Sequence, residues 1–166
     1  VPANDLNKGD TFKVQGQNAT GQVHSVSTGP VGVWAGDTGA DTFQGTAGND
    51  RFNAGAGTNT ISTGNGQDIV YLGGYPASAS NQGSSTTTIT DFKVGQDKLD
   101  LSGVFAPGAV NTSNFLQFVS QSVSGADTTL TIDSNGSAAG GTLHSVILKN
   151  VTSLPMDSTV FNYVVL

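Results

Sequence analysis

The middle of the chain repeats itself every nine residues, and this period limits what it can fold into more than anything else. Written in nines, residues 36–71 read GDTGADTFQ, GTAGNDRFN, AGAGTNTIS and TGNGQDIVY. The fourth place is always glycine: Gly39, Gly48, Gly57 and Gly66. The sixth is Asp41, Asp50, Asn59 and Asp68, and the eighth is Phe43, Phe52, Ile61 and Val70. Nine is neither the helical period nor a plain alternation, so the unit is a small structural module that stacks on copies of itself. The physics assigns each place. The large apolar residue points inward from a short strand. The glycines let the chain turn tightly with exposed carbonyls. The sixth-place carboxylate is aimed at the same turn. Carbonyl and carboxylate oxygens together suit a hard cation, calcium above all. A structureless glycine-rich loop has no use for an in-register apolar column.

Composition agrees with this reading. All twelve acidic residues are Asp and none is Glu, which argues against long exposed helices. Asp is at home in turns and in oxygen-ligand metal loops. A net charge of −6 argues against a nucleic-acid partner. Cysteine is absent, which excludes disulfides, thiol catalysis and Cys-ligated zinc. No apolar run is long enough to span a membrane, and no N-terminal signal peptide is visible. The chain reads as a fragment or a processed product.

The four copies resemble the RTX calcium-binding nonapeptide repeat, G-G-x-G-x-D-x-U-x. The resemblance implies a parallel β-roll in which two nonapeptides make one coil and an ion lies between successive turns. Strands in such a stack lie about 4.8 Å apart. Carried onto this chain, one ion takes the carbonyls of Asp37, Gly39, Ala54 and Ala56 with the side chains of Asp41 and Asn59. A second takes the carbonyls of Thr46, Gly48, Thr63 and Asn65 with the side chains of Asp50 and Asp68. The first set has a single carboxylate, so it is expected to bind more weakly. A second resemblance lies in "ITDFKVGQDKLDLS" at 89–102, which is similar to a segment that often follows the roll in exported RTX proteins. It implies a third ion at the end of the roll, held by Asp97 and Asp68 with the carbonyls of Gly64 and Gly66. Asp91 and Asp100 are expected instead to make capping and turn bonds to the backbone.

The expected fold is all-β: a short roll over 36–74, a β flank over 1–35 that caps it, and a C-terminal β-sandwich-like module over 75–166. In the flank, "TFKV" at 11–14, "QVHSV" at 22–26 and "VGVW" at 31–34 read as strands. Trp34 stands one nonapeptide before Phe43, a core position in a degenerate first rung. Residues 76–88 read as a polar loop. "TTLTID" and "TLHSVILKNV" read as a long-looped hairpin, and "TVFNYVVL" as a closing β run. The C-terminal part resembles the target domain of type I secretion substrates, especially large adhesins.

Enzyme chemistry finds little support. There is no H-E-x-x-H and no G-x-S-x-G, and the only histidines, His24 and His144, sit in strand-like runs. The six basic residues, Lys8, Lys13, Arg51, Lys93, Lys98 and Lys149, are dispersed and read as solvated surface. The resulting expectation is a monomeric, non-catalytic calcium-binding module of a Gram-negative secreted or cell-surface protein. Its partners would be a type I exporter, through the C-terminal region, and cell-surface or glycan ligands of the parent protein. Two alternatives stand beside it: an accessory module of an extracellular enzyme such as an alginate epimerase or a serralysin-like protease, and a surface-layer segment.

Overall fold

The computed structural model describes residues 33–36, 39–72, 84–136, 141–162 and 164–166. The strand-like runs at 11–14 and 22–26, His24, Asp37 and residues 76–83 of the polar loop lie outside the described residues, and residues 85–88, read as loop, are strand instead.

The short strands fall where the repeat places its apolar residues. They are β1 (Val33–Ala35), β2 (Thr42–Gln44), β3 (Arg51–Asn53), β4 (Gly57–Ser62) and β5 (Ile69–Tyr71). Beyond the repeat come β6 (Ser85–Ile89), β7 (Lys98–Asp100), β8 (Val119–Ser124), β9 (Asp127–Asp133), β10 (Leu143–Leu148) and β11 (Val164–Val165). Consecutive strands of the repeat go to opposite sheets. One sheet runs β1-β3-β5-β7-β11 and the other β2-β4-β6-β10-β9-β8. Pairing within the roll is parallel and in register: Trp34 lies opposite Phe52, and Phe52 opposite Val70.

The core is the space between the two sheets. From one side come Trp34, Phe52, Val70, Leu99 and Val164; from the other come Phe43, Ile61, Ile89 and Leu148, all buried. Each series is a column, because register puts like place on like place. Trp34 and Phe52 stack with ring centroids 6.2 Å apart and an interplanar angle of 7°. Phe43 packs across the gap at 6.3 Å from Phe52, tilted by 59°. Trp34 is thus a first-rung core residue.

Both sheets run on past the repeat. β6 pairs in parallel with β4 and with β10, and β7 pairs in parallel with β5 and β11. The C-terminal residues therefore extend the roll's own sheets across the boundary that the sequence suggests near 75. The hairpin expected over "TTLTID" and "TLHSVILKNV" is present as β9 and β10, antiparallel, with Leu130 opposite Val146. The closing "TVFNYVVL" run differs from its reading: among its described residues, Ser158–Asn162 is a 3-10 helix and Val164–Val165 is strand. The cause is local, since Asp157 Oδ1 accepts from both the amide and the hydroxyl of Thr159 and starts a turn there. Val164 lies opposite Leu99 and is buried, so the tail ends as a core strand.

Candidate metal centre

The turns of the roll approach so closely that only glycine fits at several places. A Cβ on Gly45 would lie 2.0 Å from the Thr63 carbonyl oxygen, and one on Gly66 would lie 2.2 Å from that of Gly48. Gly64 and Gly36 face the carbonyl oxygens of Thr46 and Ala54 in the same way. Gly66 also adopts φ +124°, a conformation closed to other residues in practice. The gaps between turns are therefore lined by Ala54, Thr63, Thr46 and Gly48 oxygens, all of them expected ligands.

The sixth-place side chains close these gaps from the interior. Along one edge Asp50, Asp68 and Asp97 stack. The Asp50 amide donates to Asp68 Oδ1 at 2.7 Å, and the Asp68 amide to Asp97 Oδ1 at 3.2 Å. Asp50 Oδ2 accepts from the Thr46 amide at 2.5 Å. All three carboxylates are buried. Asp68 Oδ2 is buried without a hydrogen-bond partner. Burial pushes the Asp68 carboxyl up to about 7, opposed by the Asp50 amide and reinforced by the charges of Asp97 and Asp50. Asp97 is likewise raised, by burial first, with hydrogen bonds from the Lys93 and Asp68 amides opposing. A stack of buried carboxylates with an orphan oxygen is strained in the absence of a counter-charge.

The opposite edge runs Asp41, Asn59, Thr87, because Asn59 lies opposite Thr87. Asn59 Oδ1 accepts from the Asp41 amide at 3.1 Å, and its Nδ2 donates to the Ala56 carbonyl at 3.2 Å. Ala56 O, an expected ligand, is thus engaged by an amide. Gly39 is half-buried at the rim of the first turn and Asp41 is buried beneath it.

At the last turn of the repeat the expected ligand carbonyls have other partners. Lys93 Nζ donates to Gly64 O at 2.6 Å and to Asn65 Oδ1 at 3.2 Å. Gln96 Nε2 donates to Gly66 O. The solvated-surface reading of Lys93 is corrected here, because its ammonium is held in the turn. A signal for this was present in the sequence. Residues 92–100, FKVGQDKLD, carry Gly95, Asp97 and Leu99 at the fourth, sixth and eighth places of a further nonapeptide. Asp91 caps the same turn, accepting from the amides of Thr63 at 2.6 Å and Gly64 at 3.0 Å. Burial would raise its carboxyl, but these bonds and those from Ser62 and Thr63 hydroxyls hold it below its ordinary value. Asp100 Oδ1 accepts from the Ser102 amide. The basic residue on the C-terminal hairpin, Lys149, pairs with Asp127.

Among the described residues no three carboxylate or imidazole side chains converge as a ready metal cluster. The turn carbonyls that line the gaps are further oxygens an ion there could use. The oxygen-only donor set, with a buried orphan carboxylate oxygen and glycine-lined gaps, fits calcium and excludes metals that need nitrogen or sulfur. Thr46, Gly48, Thr63, Asn65, Asp50 and Asp68 are the residues that would hold it on the acidic edge. Bound there, it supplies positive charge to oxygens that the fold brings together.

One comparison, with known protein families, supports the same assignment. Residues 35–70 match the RTX calcium-binding nonapeptide repeat family in four copies. No curated protein sequence matches the chain. Among solved structures, the chain is similar to the R2 subunit of AlgE6, a mannuronan C5-epimerase of Azotobacter vinelandii. The identity is 24% over 70% of this chain and 83% of that one, with a TM-score of 0.31. It is also similar to the R3 subunit, at 22% identity over 76% and 81% of the two chains, with a TM-score of 0.25. Residues 35–70 of this chain are a block of RTX calcium-binding nonapeptide repeats.

Proposed function

We propose that the chain is a non-catalytic module that folds on extracellular calcium and serves the type I export of a large bacterial surface or secreted protein, an adhesin. The observation that carries this reading is the stack of buried Asp50, Asp68 and Asp97 beside turns whose carbonyls line the gaps. Where calcium is scarce, as in the cytosol, the buried carboxylates repel and lack the charge of an ion, and the roll is disfavoured. The unfolded chain is then fit to pass a narrow exporter that engages its C-terminal region. Outside, calcium binds the folded turns and not the open chain, so binding free energy becomes folding free energy. At a hundredfold excess over Kd each ion contributes about 2.7 kcal/mol. That is a large fraction of the stability of a small domain. The folded module is monomeric, and once formed outside it opposes return through the channel.

Far-ultraviolet circular dichroism of the chain in millimolar calcium and after addition of EGTA tests this. The expected result is loss of the β signal in chelator and its return on adding calcium. A spectrum indifferent to calcium would remove the folding switch.

A further inference from the structure

The last turn of the repeat differs from the others in what faces its carbonyls. Thr46 O and Gly48 O, at the second and fourth places of their repeat, look onto the backbone of Gly64 and Gly66 one coil later. Gly64 O and Gly66 O hold the same two places in the final repeat. They meet the segment that carries Asp97 rather than a further copy of the regular turn. In that segment the amides of both Gln96 and Asp97 donate to the Lys93 carbonyl, at 3.0 and 2.9 Å, which folds residues 93–97 into a compact turn. The turn sets the Lys93 side chain across the gap onto Gly64 O and Asn65 Oδ1, and the Gln96 side chain onto Gly66 O.

The segment is itself nonapeptide-like, with Asp97 stacked on Asp68. Its second place, however, is Lys93, where the four regular copies have Asp37, Thr46, Gly55 and Gly64. A lysine ammonium is a compact charge with three donors and no acceptor. It offers an oxygen-lined gap what a cation offers: positive charge at the carbonyls and near the carboxylates. Its charge acts on both Asp68 and Asp97.

We propose that the ammonium of Lys93 takes the place of a third calcium ion at the C-terminal end of the roll, with the Gln96 amide closing the neighbouring carbonyl. This inference rests on the calcium reading above and refines it. In the folded roll the final turn is neutralised from within the chain and takes no ion of its own. Calcium is left to govern only the turns before it. Asp97 serves the stack as an acceptor for the Asp68 amide and not as a ligand.

The test is a count of bound ions by native mass spectrometry of the whole chain, titrated with calcium alone. Lys93→Met, alone and combined with Gln96→Ala, is expected to bind one calcium more than the wild type. Lys93→Arg, which keeps the charge, is expected to bind the wild-type number. Asp97→Asn is expected to melt at a lower temperature with its ion count unchanged. Loss of one ion in Asp97→Asn, or no gain in either Lys93→Met chain, would overturn the inference while leaving the calcium switch intact. A wild-type chain that binds no calcium would overturn the proposed function and this inference with it.

Discussion

Asn59 shows how one atom changes a turn. Its amide satisfies two backbone groups at once, the Asp41 N–H and the Ala56 carbonyl. A carboxylate in its place could accept the first bond but not donate the second. Asn59→Asp would free Ala56 O and add one formal charge to the ligand set on that edge. Calorimetry should then show calcium binding there tightened roughly tenfold, since affinity follows ligand charge. The same variant should melt at a lower temperature than wild type in EGTA, because the new carboxylate stacks on Asp41 with no cation between the two charges. Unchanged affinity would show that Asp41 and Asn59 do not share an ion. The substitution was legible in the repeat. What the amide nitrogen does was not, because Ala56 becomes its acceptor only once the turn is formed. Lys93 was harder still: among dispersed basic residues nothing marks it except its place in a fifth, imperfect nonapeptide.

At the scale of an element, the strands and turns of a coil depend on different things. The strands are three to six residues long, and their inward side chains hold them. Phe52 is the centre of that packing, stacked on Trp34 and facing Phe43. Phe52→Ala should cost about 3–5 kcal/mol, read by denaturant unfolding in saturating calcium. The turns depend on glycine. In Gly66→Ala the methyl group would meet the Gly48 carbonyl, and the φ of +124° would be strained as well. That change should weaken calcium binding and loosen the acidic edge while the apolar column survives. Its signature is a chelator-like melting temperature even in millimolar calcium. Both roles could be read from the period alone, because each depends on a place within nine residues. The 3-10 helix at Ser158–Asn162 could not, since a β-rich composition hid a turn begun by the Asp157 side chain.

For the molecule as a whole, what the sequence concealed is how the end of the chain joins the roll. β10 pairs in parallel with β6, and His144 meets Ser85 across a separation of 59 residues, with Nδ1 2.8 Å from the Ser85 hydroxyl. No local pattern encodes such a pairing. Burial pushes the His144 pKa below its ordinary 6.5. The unfolded chain therefore binds the proton more readily than the folded one. Stability from the neutral ring is fully present above about 6.5 and is lost as the pH falls below it. Thermal melts in saturating calcium should drop in midpoint between pH 7 and 5. His144→Gln should flatten that slope; equal slopes in the two chains would exclude the ring as its source.

The alternation of strands between two sheets has a consequence for how such a chain can change in size. Stacked partners are 18 residues apart, while successive strands of the repeat switch sides. Duplicating one full coil after Tyr71 would deliver β6 and β7 to the same sheets and leave both ends of the molecule undisturbed. Duplicating a single nonapeptide would reverse the parity, so that β6 arrived where β7 belongs and Lys93 met no carbonyls it fits. Length here is quantised in pairs, and descent by unequal copying would leave only even increments standing.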